Sequence, residues 1–316
     1  MRRVFLLMVA AAIVCSCEKA IMADDEPDAD DSGVVVNGPT KKFTFTVKGD
    51  FGSPTFSDGD NMQIDGSPSG TAAASARRSA TYLTDESNQM TDLWVFDFVG
   101  EDCLQSLHQT TSDDAWGQPQ MSLALGTHHI YFVVSRGVTP TVNTTAKTIT
   151  WASVRDTYWK DYEVTVVNTS NGNRAVTLDR VVAKLKLTVN DEIPAGASTL
   201  VCTPASWHYG LNYTTGEPVT ATSDQSININ IPSTYIGTSG QLVASFFTFS
   251  TVVEWTTDVA VAVKDGNSTT LGSAAISDAP LKRNRSTEYS GNLFSSGGSV
   301  TVSVNGDWLS PVVGTW

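Results

Sequence analysis

Residues 42–48, KFTFTVK, place Phe43, Phe45 and Val47 on one face and lysines and threonines on the other. A period of two is what a half-buried strand requires, so this stretch predicts a strand with those three side chains inward. Residues 91–98, TDLWVFDF, set Trp94, Phe96 and Phe98 on one face with Leu93 and Val95 opposite. HHIYFVVS (128–135) is a near-continuous apolar run, the pattern of an interior strand. In VTLDRVVAKLKLTV (176–189), Val182, Leu185, Leu187 and Val189 interleave with Arg180, Lys184 and Lys186. Further strands are expected at 199–203, 227–231, 242–249, 258–264 and 300–304, separated by turn formers such as NTSNGN (168–173), TTGEP (214–218) and KDGNS (264–268). Beyond the first twenty residues no long segment has helical periodicity. Short strands at this spacing predict an all-β fold built from antiparallel β-sandwiches.

Two seams divide the chain. Residues 49–76, GDFGSPTFSDGDNMQIDGSPSGTAAASA, form a connection rich in Gly, Ser, Asp and Ala. A connection of that length is usually functional or disordered. It separates the first strand from everything after Arg77-Arg78. The NTSNGN turn is the second seam, and divides an N-terminal sandwich (41–173) from a C-terminal one (174–316).

The start of the chain has a different character. Arg2 and Arg3 precede an eleven-residue apolar run, Val4 to Val14. A bilayer span needs about 20 apolar residues, so this run is too short to cross and suits an export signal. Its end, Val14-Cys15-Ser16-Cys17, resembles the lipobox of bacterial lipoproteins, with Ser16 as the small residue before the acylated cysteine. That resemblance makes residues 1–16 the signal and Cys17 the lipid attachment site. A plain secretory signal with incidental cysteines is the alternative. Residues 17–40 then form a spacer, since DDEPDADD (24–31) carries six carboxylates and a proline and cannot bury apolar surface. The net charge is -13, or -15 once Arg2 and Arg3 leave with the signal. A field of that sign repels phosphate backbones and argues against nucleic acid as a partner.

Candidate chemistry is sparse. Cys103 and Cys202 fall in different predicted sandwiches and form no CxxC pair, so buried thiols are favoured over a disulfide. His128 and His129 open a strand, where neighbours face opposite ways and cannot share a metal. DGDNMQIDG (58–66) puts Met62 where a calcium loop needs oxygen and lacks a closing Glu. GSPSG (66–70) has proline where a nucleophile elbow needs serine. No enzyme site, metal site or cofactor is expected apart from the covalent lipid. Tryptophans at 116, 151, 159, 207, 255, 308 and 316 are open to two readings, core fillers or exposed rings that stack on sugars.

Four stretches in order resemble the fimbrillins of type V pili, surface fibres of Gram-negative anaerobes. They are TDLWVFDFVGED (91–102), LGTHHIYFVVSRG (125–137), VTLDRVVAKLKLTVNDEIP (176–194) and APLKRNRSTEYSGNLF (279–294). The resemblance implies two transthyretin-like sandwiches, a lipid anchor in the outer membrane and a place at the cell surface. It also implies assembly with other fimbrial subunits by strand addition. In that scheme an arginine-specific protease removes the first strand, leaving a groove that a neighbour's strand fills. Phe43, Phe45 and Val47 would then be the groove strand, and Arg77-Arg78 the processing site rather than a solvated basic pair. SVTVSVNGDW (299–308) offers one strand of alternation, with Pro311 soon after and no evident further donor strand. An anchor or accessory subunit is therefore expected. A shaft subunit activated near Arg77-Arg78 and a glycan-binding surface lipoprotein are the alternatives, with host or bacterial surface ligands open as further partners.

Overall fold

In the computed structural model, the residues described are 38–49, 81–82, 90–137, 139–219, 221–223, 225–240, 242–294, 300–305 and 312–315. Among them the protein is all-β, with a single 3-10 turn at Ser233–Tyr235. The strands follow in chain order. The first are β1 (Thr40–Gly49), β2 (Thr81–Tyr82), β3 (Asp92–Val99), β4 (Asp102–Thr110), β5 (Gln120–Ala124), β6 (Gly126–Ser135), β7 (Thr141–Asn143) and β8 (Thr148–Thr150). Next come β9 (Thr157–Val166), β10 (Asn173–Arg180), β11 (Val182–Val189), β12 (Ala197–Pro204), β13 (Gly210–Asn212), β14 (Glu217–Pro218) and β15 (Ile227–Asn230). The last are β16 (Leu242–Phe249), β17 (Trp255–Asp265), β18 (Thr270–Leu281), β19 (Ser286–Gly291), β20 (Val300–Asn305) and β21 (Val312–Thr315).

They form four sheets. The largest runs β2-β1-β10-β9-β6-β3-β4, with β5 paired to β1. Two others run β16-β11-β19-β20-β21 and β15-β12-β17-β18, and a small one runs β14-β13-β8-β7. Most pairs are antiparallel, but β1–β10 and β11–β19 are parallel.

Two apolar cores result. The first gathers Phe43, Phe45, Leu93, Val95, Phe132 and Leu178 among others. The second holds Leu185, Leu200, Phe246 and Val261, and also takes Phe96, Phe98, Tyr131 and Val133. β3 and β6 therefore bury opposite faces in different cores. This is the physical reason that both are apolar along most of their length, although Thr127 and His129 of β6 reach solvent.

The run 176–189 is not one strand. It breaks at Val181, whose N–H donates to Thr157 O (3.1 Å) while its carbonyl accepts from Ser250 N (3.1 Å). β10 stays with the first sheet beside β1 and β9, and β11 enters the second group. The chain thus passes between sheets at Val181. Arg180 secures the crossing. Its Nε and Nη2 donate to Asp156 Oδ1 and Oδ2 at 2.7 and 2.8 Å, and Nη1 reaches Asn284 Oδ1 at 3.3 Å. Residues Gly38–Trp316 form one compact unit.

At the C-terminus β20 pairs antiparallel with β19, as a strand completing the sheet would. A further strand follows where none was expected: β21 pairs antiparallel with β20, with Val304 opposite Val312. Pro311 lies outside the described residues.

Candidate functional site

β1 lies in a groove with two walls. On one side residues 44–49 run parallel to β10, from Thr44 opposite Asn173 to Gly49 opposite Leu178. On the other, residues 40–44 run antiparallel to β5, from Thr40 opposite Ala124 to Thr44 opposite Gln120. Past the end of β5 the same edge continues through Phe45 N to Pro119 O and Val47 N to Gly117 O, each 3.0 Å. Lys48 and Gly49 then face Tyr82 and Thr81 of β2. Odd-numbered amides bond toward β5 and even-numbered ones toward β10, as a strand in a sheet interior must.

The alternation in sequence becomes burial here. Phe43, Phe45 and Val47 are 0%, 0% and 1% exposed. Phe45 packs edge-on to Phe132 at 5.3 Å and to Tyr162 at 6.0 Å, and Arg174 lies over the Phe43 ring at 5.2 Å. The wall also depends on Gly172, in the NTSNGN turn. A Cβ there would stand 2.0 Å from the Lys42 carbonyl oxygen, so only glycine lets the turn meet β1.

A polar network braces the far edge of β5. Gln105 Nε2 donates to Ser122 O and to Asp97 Oδ2, both at 2.9 Å. His128 Nε2 is 3.0 Å from Ala124 O, and its Nδ1 is 2.7 Å from Asp97 Oδ1. Ser122 and Ala124 sit on the edge turned away from β1, where side chains take the place of a ladder strand. Both imidazole nitrogens face acceptors, so the imidazolium alone donates to both. Desolvation by burial lowers the His128 pKa, but Asp97 and the Ala124 carbonyl outweigh it and hold the pKa above the usual histidine value. Nothing in the local sequence pairs Asp97 with His128; the β3–β6 register brings them together.

The other sequence candidates divide as follows. Cys17, Arg77, Arg78, Trp308 and Trp316, with residues 17–37 of the spacer, DGDNMQIDG and GSPSG, lie outside the described residues, while Thr40, the last residue assigned to the spacer, opens β1. His129 turns to the opposite face from His128 and sits 3.0 Å from Asp161. His108 pairs with Asp92 at 3.0 Å and stacks on Trp94, while His208 Nδ1 bonds to Val219 O. Neither Cys103 nor Cys202 is disulfide-bonded, and burial pushes the Cys202 thiol far up, leaving it protonated and inert. Among the described residues no three His, Cys, Asp or Glu are grouped to hold a metal ion. The described tryptophans are packed rather than exposed. Trp207 Nε1 donates to Phe247 O at 3.0 Å, Trp159 Nε1 to Tyr213 O at 2.7 Å, and Trp255 Nε1 to Ser250 Oγ at 2.9 Å.

Comparison with known proteins adds a family and a set of loose structural likenesses. The model of DUF6562, a family of unknown function, matches residues 136–315. No curated protein matches the chain. A candidate adhesin from Bacteroides ovatus is similar at 14% identity and a TM-score of 0.46, over 87% of this chain and 96% of that one. A fimbrial assembly protein from Parabacteroides distasonis is similar at 12% identity and 0.45, over 87% and 99%. A candidate polysaccharide-binding protein from Bacteroides thetaiotaomicron gives 10% and 0.45, over 84% and 96%. At such values the function has to be read from the residues themselves.

Proposed function

The chain belongs to DUF6562, a family of unknown function, and from its own residues we propose that it is a non-enzymatic fimbrial subunit. In this reading it is a lipoprotein held in the outer membrane through Cys17, displayed at the cell surface by its acidic spacer. It acts as an anchor or accessory subunit and joins other fimbrial subunits through β-strand addition. The fimbrillin-like stretches in the sequence motivate the reading, and one observation carries it. β1 is seated between β5 and β10, with three apolar side chains inward. Its removal would leave an apolar trough and two rows of unpaired backbone groups, a template for an incoming strand. Main-chain bonds would supply affinity, and the alternate pockets of Phe43, Phe45 and Val47 would set register, because a one-residue slip turns all three outward.

The test uses an arginine-specific protease on the purified protein, alongside an Arg77→Ala, Arg78→Ala double mutant. An anchor or accessory subunit keeps β1 bound and stays monomeric after the cut. Protease-dependent ladders on a gel that vanish in the double mutant would overturn the anchor assignment. They would support the second reading, a polymerising shaft subunit. One observation favours that second reading: the C-terminal hairpin β20–β21 supplies the additional strand that a donor needs.

A further inference from the structure

We infer that the outer edge of β18 is an interface through which two copies of this chain pair, strand against strand about a two-fold axis. β18 ends the sheet β15-β12-β17-β18, and at 12 residues it is the longest strand at a sheet end among the described residues. Its ladder with β17 is regular from Gly272 to Ile276 and shifts register on either side. Two bonds show which backbone groups face outward. Asp258 O accepts from Ala205 N on the β12 side at 2.8 Å, and Asp265 N donates to Thr269 O on the β18 side at 2.9 Å. Bonding direction alternates along a strand, so Val259, Val261 and Val263 bond toward β18, where they stand opposite Ile276, Ala274 and Gly272. The N–H and C=O groups of Ser273 and Ala275 therefore point out of the sheet. Among the described residues no strand or loop bonds to them.

This stretch of edge lacks the usual safeguards. Edge strands are commonly shielded by charged side chains, by proline or by short length. Residues 266–277, GNSTTLGSAAIS, carry no charge and no proline, and the side chains of Ser273 and Ala275 are small and exposed. Charge and shape then favour a second copy as the occupant. Each copy has a net charge of -13, so two copies repel over most of their surface and approach at least cost along an uncharged run. An antiparallel pair centred on Ala274 sets Ser273 against the partner's Ala275, and the two symmetric pairs exchange four backbone bonds. It also sets Gly272 against the partner's Ile276, so the smallest residue of the run meets a large one. At Gly272 the Phe294 ring stands where a side chain would, 2.7 Å from an added Cβ, and offers that isoleucine an apolar neighbour. At the ends, Asp278 of each copy falls beside Thr270 of the other, the ladder neighbour of Lys264, so opposite charges approach. β18 takes no part in the β1 groove, and the inference stands apart from the strand-assembly reading.

The experiment is sedimentation velocity on the purified full chain over a concentration series reaching about 100 μM, beyond the weak end of common protein–protein affinities. A dimer should form with a dissociation constant on the order of 10 μM, as befits a small contact. Ala275→Pro removes an outward N–H and no bond to β17, so two of the four interchain bonds are lost while the sheet stays intact. It should raise the dissociation constant about tenfold or more with an unchanged circular dichroism spectrum. A charge swap reads the register. The two-fold makes position 275 of one copy the diagonal neighbour of position 275 of the other. Ala275→Lys and Ala275→Glu should each weaken dimerisation alone, and an equimolar mixture of the two variants should restore it. Protein that stays monomeric at the highest concentration, dimers untouched by Ala275→Pro, or a mixture no stronger than either variant alone would overturn the assignment. So would open-ended oligomers, which a closed two-fold pair cannot form.

Discussion

His128 Nδ1 lies 2.7 Å from Asp97 Oδ1, and both side chains are fully shielded from solvent. This pair, with Gln105, holds the outer edge of β5, which in turn holds β1. Because the folded pKa of His128 is raised above the unfolded value near 6.5, its contribution to stability is complete below that value. It is lost as pH rises through the folded pKa. Urea titrations from pH 5.5 to 9 should show stability falling on the alkaline side. His128→Gln should flatten that part of the profile and, by leaving the buried Asp97 carboxylate without a counter-charge, cost about 3–5 kcal/mol at pH 6. A slope unchanged in the variant would exclude His128 as its origin.

Phe45→Ala should cost about 3–5 kcal/mol in the same assay, the range for deleting a fully enclosed phenyl ring. Val47→Ala removes less and should cost less. If β1 is the weakest attached strand, both variants should also be cut sooner by protease within the first strand than elsewhere, read by mass spectrometry of the early fragments.

Gly172→Ala tests the turn against the groove. The added Cβ would stand 2.0 Å from a backbone oxygen, which no side-chain rotation relieves. Destabilisation by about 1–3 kcal/mol, the scale of overpacking, should appear with faster amide exchange in β1 and β10 than in β17. Uniform exchange across all strands would count against a local effect.

Arg180→Met breaks a buried bidentate pair and leaves Asp156 without its partner fork. The expected loss is about 3–5 kcal/mol. Arg180→Lys should recover only part of it, because an ammonium cannot reproduce two parallel bonds. Full recovery by lysine would show that charge alone matters at the crossing.

Acylation at Cys17 rests on the Val14-Cys15-Ser16-Cys17 sequence. Cys17→Ala should abolish metabolic labelling with a fatty acid, while Cys15→Ala leaves labelling intact. Equal labelling of the Cys17→Ala protein would refute the lipid anchor.

Strand positions were largely legible because the period of two is local. The 42–48 run became β1, 242–249 became β16 with the same limits, and 128–135 lies within β6. Strands with mixed or small residues escaped notice. β4, DCLQSLHQT, lies at the end of its sheet, and β18, TLGSAAISDAPL, carries little apolar contrast. Of the candidate site, the inward set of β1 was legible, while Gly172 and Gln105 were not. Each of these owes its role to a segment distant in sequence, and no local pattern marks such a meeting.

Alternation of apolar and polar residues by itself determined that this chain is all-β and which side of β1 turns inward, since neighbouring side chains on an extended backbone must alternate. The tertiary structure alone decided what lies opposite. Parallel pairing of β1 with β10, the use of both faces of β3 and β6 by two cores, and the contact of Asp97 with His128 all depend on register between segments far apart. Register is settled by the joint burial of many side chains at once, and that sum exists only after the chain has folded.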